Sequence, residues 1–150
     1  MSALPNEKLY ERDFYAWTEE QAALLRAGQY TFADIENIVE EIETMGRGEN
    51  REMVNRLAVL MMHLLKWEFQ PVFQSRSWRS TINEQHRALQ VHLKANPSLK
   101  LKLDTGIIDA YSAAVHKAVD ETGISFQKFP PQCPYTFAQL MDDDYFPQTD

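Results

Sequence analysis

Cysteine is nearly missing from this sequence. Its single copy, Cys133, excludes an internal disulfide framework and a zinc site built on cysteines. Long apolar runs are missing too. The longest, residues 57–65, is nine residues interrupted by His63, far short of the ~20 needed to span a bilayer. Residues 1–10 hold no apolar signal core, and Glu11 and Asp13 follow at once, which points to a cytoplasmic protein with no membrane partner. No segment reads as a convincing strand, and there is no internal repeat, low-complexity linker or sign of a second domain. Basic residues are in the minority, 15 against 22 acids for a net charge of −7, which argues against a protein built mainly to coat nucleic acid.

What is present suits one folded domain over residues 1–150. Apolar residues make up 44% and charged residues 25%, close to the soluble globular average. A chain this long buries roughly 68–70% of its unfolded surface. The charges are segregated. Residues 1–50 carry 11 acids and 4 bases, net −7. Residues 51–102 carry 3 acids and 9 bases, net +6, with three of the four histidines. Residues 103–150 carry 8 acids and 2 bases, net −6.

Apolar spacing predicts about five helices. The first carries Leu9, Phe14, Trp17, Gln21, Leu24 and Leu25 and ends at Gly28, with Asn6, Asp13 and Thr18 as candidate caps. The second opens at Thr31 with Asp34 as a weak capping box, runs through Phe32, Ile35, Ile38, Val39, Ile42 and Met45, and breaks at Gly46 and Gly48. The third runs from about Glu49 to Phe69, where Pro71 stops it, and its wide apolar arc makes it the most buried element. The fourth runs from about Trp78 to Ala95, and the fifth from Ser98 to Thr122, with Gly106 as a possible kink and Gly123 at its end. The tail, residues 124–150, is rich in proline and reads as a strap with one short helix at Thr136-x-x-Gln139, anchored by Phe126, Phe129, Tyr135 and Phe137. The fold class is therefore all-α, a helical bundle with a proline-rich C-terminal strap.

Several clusters have the residue types that chemistry uses. Glu36, Glu40 and Glu43 fall within about 60° on one helix face. They either hold a hard divalent cation or pair with Arg47, Arg51 and Arg56, and pairing is the simpler account. Neither Glu-x-x-His nor His-Glu-x-x-His occurs, and nothing calls for a cofactor. Arg56, His63 and Trp67 sit on one flank of the third helix, suited to an anionic ligand, or to packing at a helix boundary, and Lys66 beside them is a further ligand candidate. Glu68 lies in the middle of an apolar stripe and needs a partner, for which Arg76 and Arg79 are nearest beyond the helix end. Trp78, Arg79 and His86 continue the basic, aromatic pattern on the fourth helix. With Arg76, Arg87, Lys66 and Lys94 they could bind phosphate or a single strand, or neutralise the acidic segments within the molecule, which the charge sums favour. His116 reads as part of a solvated face beside Asp109 and Asp120, and Cys133 as a packed thiol.

The run Leu9-Tyr10-Glu11-Arg12-Asp13-Phe14-Tyr15-Ala16-Trp17, followed by Leu24-Leu25-Arg26-Ala27-Gly28, resembles the opening of the bacterial family known as domain of unknown function 29. So do residues 38–46 (IVEEIETMG), residues 60–67 (LMMHLLKW), Arg76-Ser77-Trp78, Asn96-Pro97-Ser98-Leu99 and Cys133-Pro134-Tyr135, in that order. The resemblance covers nearly the whole chain. It implies an all-α, stand-alone bacterial cytoplasmic protein, and it implies no reaction and no catalytic residues. Three functions are then open: a non-enzymatic interaction module binding a protein partner or itself; a polyanion or nucleic-acid binder using residues 51–102; and a metal-dependent enzyme using Glu36, Glu40, Glu43 and His63. The first has the lead, because no catalytic signature is present and segregated charge can steer partners.

Overall fold

The computed structural model describes residues 5–149, with side chains from residue 9 onward. Among the described residues all regular structure is helical: α1 Pro5–Arg12, α2 Phe14–Arg26, α3 Ile35–Phe69, α4 Arg76–Ala95, α5 Leu103–Thr122 and α6 Phe137–Leu140. The fold is all-α, as its apolar periodicity predicts. The contacts form two compact units, Met1–Gly48 and Glu49–Asp150.

In the first unit, Asp13 separates α1 from α2. Its carboxylate accepts from the Ala16 backbone N–H at 3.1 Å, which satisfies an orphan donor of the first turn of α2 and splits the one helix expected there. The side chain of Asn6 lies outside the described residues. Gly28, at φ +73°, ends the α2 segment in the left-handed region that glycine enters without cost. A 3-10 turn, Tyr30–Phe32, then replaces the helix start expected at Thr31. Asp34 sits at the true start of α3, where its carbonyl accepts from Ile38. Its buried carboxylate accepts from Trp17 Nε1 at 3.1 Å and from Asn37 Nδ2 at 2.7 Å, and its N–H donates to Gln21 Oε1 at 2.7 Å. Phe14 stacks on Trp17, and Tyr10 meets both rings edge-on. Among the described residues of the unit, Trp17, Gln21 and Asp34 are the buried side chains.

The break expected at Gly46 and Gly48 does not occur, and α3 runs on to Phe69. Neither glycine has a positive φ. Each costs about 1 kcal/mol of helix propensity, too little to end a helix whose flanking turns are otherwise well formed.

The second unit holds the main core. Met53, Leu57, Leu60, Met61, Leu64 and Leu65 of α3 are fully buried against Ile82, Leu89 and Leu93 of α4 and Ala110, Ala114 and Ala118 of α5. Ser75 caps α4 by accepting from Trp78 N–H at 3.1 Å, so the helix opens two residues before the expected Trp78. Pro97–Lys102 is 3-10 rather than the first turn of α5. Gly106 is a contact point and not a kink: α5 runs straight through it, and a Cβ there would lie 2.9 Å from Met53 Cε.

The tail does cross the helices as a strap. His86 is fully buried, with Nδ1 2.7 Å from the Leu140 carbonyl and Nε2 3.3 Å from that of Tyr145. Gln90 Nε2 donates to the Met141 carbonyl. Tyr111 donates its hydroxyl to Pro130 O at 2.6 Å. Thr136 and Gln139 close a capping box on α6. Of the four expected anchors, Phe129 and Tyr135 are buried, but Phe126 and Phe137 face solvent. Leu140, fully buried, and Phe146, against Trp67 at 4.9 Å, take their place.

Candidate functional site

The residues singled out on α3 and α4 come together in part. Lys66 donates to Glu121 at 3.0 Å and lies 4.9 Å from the Trp78 ring. Trp67 is buried, and Arg79 lies 5.2 Å from its ring and 4.3 Å from that of Phe146. These contacts hold both cations against aromatic faces through the ring quadrupole, although Arg79 stays exposed. His63 is half-buried. Desolvation holds its pKa below the usual imidazole value, Lys66 adds to that, and Glu121 opposes it. His86 is a tie between α4 and the tail and does not face a groove.

The α4 face tells a different story. Arg76, Arg79, Ser80, Asn83, Glu84 and Arg87 line an open cleft of about 340 Å³. Arg87 reaches Asp143 at 3.7 Å. The cations of the basic middle are therefore only partly matched internally: Arg56 pairs with Glu52 at 2.7 Å and Lys66 with Glu121, while Arg76 and Lys94 are exposed.

Glu68 is half-buried, and its partner is not an arginine. Tyr135 donates its hydroxyl to Glu68 Oε2 at 3.0 Å. Burial, and then the Glu68 charge, push the Tyr135 phenol far above its usual range. An arginine after the helix looked closest along the chain, but the strap brings the phenol in from 67 residues away.

In the cluster of Glu36, Glu40 and Glu43, pairing among the described residues is seen with Arg47 alone of the three expected arginines, and Arg56 pairs with Glu52 instead. Arg47 lies 3.3 Å from Glu40 and 3.8 Å from Glu43, all exposed, and Glu36 is exposed as well. Another group was not legible in the sequence. Glu49, Glu52 and His92 are the described residues whose ligand atoms lie within 4.8 Å of one another. They come from two helices, and 40 residues separate Glu52 from His92.

A cavity of about 890 Å³ lies between α5 and the strap, lined by apolar side chains including Ile107, Val115 and Phe129, with Tyr111 and Cys133. Burial pushes the Cys133 thiol above its usual value, so the sulfur is not primed for nucleophilic attack near neutral pH.

A further apolar surface belongs to the first unit. On α3, Ile35, Val39, Ile42 and Met45 are 48%, 45%, 56% and 64% exposed. Most of the second-helix stripe faces solvent, with Phe14, Tyr30 and Phe32 exposed too. Ile38 is half-buried. Among the described residues no helix is long and apolar enough to cross a membrane.

No curated protein and no solved structure matches the chain. A family model described as domain of unknown function DUF29 matches residues 9–146. The chain belongs to the DUF29 family.

Proposed function

We propose that this protein is a non-enzymatic interaction module, cytoplasmic and bacterial, whose first unit docks an amphipathic helix carrying basic flanks. The observation that carries this is the exposed stripe Ile35, Val39, Ile42 and Met45 on α3. At 3.6 residues per turn these four side chains span an arc of about 120°. Exposed apolar clusters of this kind mark interaction surfaces, and helix-on-groove docking reads i, i+4, i+7 anchors.

Charge selects the occupant. Glu36, Glu40 and Glu43 flank the stripe, and residues 1–50 carry net −7. A second copy meeting this face by two-fold symmetry would set acid against acid. A partner helix with lysine or arginine beside its apolar face meets the opposite sign.

The test uses a synthetic amphipathic peptide of leucine and lysine, its leucine–glutamate counterpart, and fluorescence anisotropy. The lysine peptide binds and the glutamate peptide does not. Ile42→Asp abolishes binding, although it adds a negative charge that would strengthen purely electrostatic adhesion. Binding that survives Ile42→Asp overturns the proposal. So does a dimer in light scattering that the same variant dissolves, since that makes a second copy the occupant.

The arginine-lined cleft on α4 favours a second reading, in which Arg76, Arg79 and Arg87, with Lys66, Trp78 and Lys94 nearby, hold a phosphate-bearing polyanion. Binding of single-stranded DNA at low salt would fall steeply with salt and would be lost in Arg76→Ala/Arg87→Ala. No affinity at low salt removes this reading.

A further inference from the structure

We propose that Glu49 and Glu52 of α3 and His92 of α4 form a binding site for a borderline divalent transition-metal ion such as Zn²⁺. The proposal is independent of peptide docking and concerns the second unit alone. Helical spacing puts Glu49, Glu52 and Arg56 on one face of α3, at i, i+3 and i+7. His92 projects from α4 into the space between them and is only 7% exposed.

The orientation of the imidazole is the informative feature. Its Nε2 lies 2.9 Å from the backbone carbonyl oxygen of Glu49. A carbonyl only accepts, so Nε2 carries the hydrogen and donates. Nδ1 is left with its lone pair. It makes no hydrogen bond among the described residues, and it faces Glu52 Oε2 at 3.7 Å. A lone pair and a carboxylate oxygen facing each other in a largely buried site repel, and a cation between them turns that repulsion into attraction. Donation of the second ring N–H to a carbonyl is also how proteins hold a histidine whose other nitrogen binds metal.

The carboxylates are prepared in the same way. Arg56 takes Glu52 Oε1 through Nη2 at 2.7 Å and Nε at 3.0 Å, which leaves Oε2 free on the histidine side. The same arginine holds the Glu52 carboxyl below the usual range, so the ligand is ionised at neutral pH. Glu49 Oε2 lies 3.7 Å from Nε2 and 3.5 Å from Asn96 Nδ2, so this exposed carboxylate reaches the Nδ1 side by side-chain rotation. Ligand bonds to zinc of about 2.0–2.2 Å place neighbouring ligand atoms roughly 3.3–3.6 Å apart in a tetrahedron. The 3.7 Å between Nδ1 and Glu52 Oε2 is close to that, and the 4.8 Å limit of the set closes by side-chain rotation. One nitrogen and two oxygens suit zinc and its first-row neighbours better than magnesium or calcium, which prefer oxygen alone. The cluster opens on a surface pocket of about 550 Å³ bordered by Ala88, Val91 and Asn96, which leaves room for water or a ligand at the fourth position.

The experiment is calorimetric titration of metal-stripped, full-length protein with Zn²⁺, run beside ¹⁵N NMR of the histidine rings. The expected result is a single site, a Zn²⁺-induced shift of His92 Nδ1, and a loss of affinity of about tenfold or more in Glu52→Gln. His92→Ala removes the site, and Glu40→Gln/Glu43→Gln leaves it intact. Should His92→Ala fail to fold, Glu52→Gln and the Nδ1 shift carry the test. The proposal is overturned if Zn²⁺ fails to bind, if binding is unchanged in Glu52→Gln, or if Nδ1 is protonated and insensitive to Zn²⁺, which would make the cluster an ion pair.

Discussion

Replacing Tyr135 by phenylalanine isolates one hydrogen bond with little change in packing. The ring is 5% exposed, and its hydroxyl donates to Glu68 Oε2 at 3.0 Å. Phenylalanine keeps the ring contacts and removes only the donor. A hydrogen bond to a charged group contributes about 1.5–3 kcal/mol, and the partner left behind bears the desolvation penalty. Glu68 is half-buried, so water partly replaces the phenol and the lower end applies, about 1.5 kcal/mol. For a chain of this size that corresponds to a fall in Tm of about 3–6 °C. Urea unfolding followed by far-ultraviolet circular dichroism reads it as a lower midpoint with an unchanged slope. Glu68→Gln completes a double-mutant cycle, in which the double variant loses less than the sum of the singles because both remove the same contact. A Tyr135→Phe protein within about 0.5 kcal/mol of the parent, or a strictly additive cycle, refutes the assignment. It would return Glu68 to one of the arginines that follow α3.

Three further outcomes follow from the same geometry. At Gly106, alanine is close to neutral, because about 1 kcal/mol of helix propensity is set against a contact with the flexible end of Met53. Valine costs about 1–3 kcal/mol by overpacking, and a Gly106→Val protein as stable as the parent in urea would contradict the close approach of α3 and α5. His63 has a folded pKa below its usual value, through burial and Lys66. The unfolded chain therefore binds the proton more readily, and stability falls as pH drops through about 6.5; His63→Leu should flatten the urea midpoint between about pH 7 and pH 5, and an unchanged pH profile would contradict this. Tyr10 is pushed up to about 12 by its hydrogen bond to Glu41, and Tyr111 to about 12 by burial, while burial raises Tyr135 and Tyr145 as well. Stability present below the unfolded phenol pKa of about 10 is lost as pH rises above it. Phenolate absorbance and helical dichroism should then change together, and full ionisation near pH 10 with the helices intact would count against it.

The helices were legible because they rest on apolar period and local caps. Gly123 and the Thr136–Gln139 box act within a few residues of themselves, and each is where the sequence places it. The errors lie where tertiary context decides. Gly46 and Gly48 look like a break, but glycine only lowers helix propensity. Asp13 divides a helix that periodicity alone would run through. The stripe from Ile35 to Met45 has the spacing of a core face, and periodicity cannot say whether anything covers it. At the candidate sites, pairings within one helix, such as Arg47 with Glu40 and Glu43, followed from spacing. Contacts made by the strap did not: Tyr135 with Glu68, and His86 with Leu140, join residues more than 50 positions apart. His92 gave no signal for the same reason, because its two carboxylates stand on another helix.

The central claim is that the face of α3 carrying Ile35, Val39, Ile42 and Met45 is where a partner sits. The most direct measurement is a ¹⁵N–¹H NMR titration of the whole protein with the leucine–lysine peptide. The account predicts shifts concentrated in residues 30–47, saturating with the peptide. Shifts centred instead on the cavity between α5 and the strap, or on the arginines of α4, would contradict it.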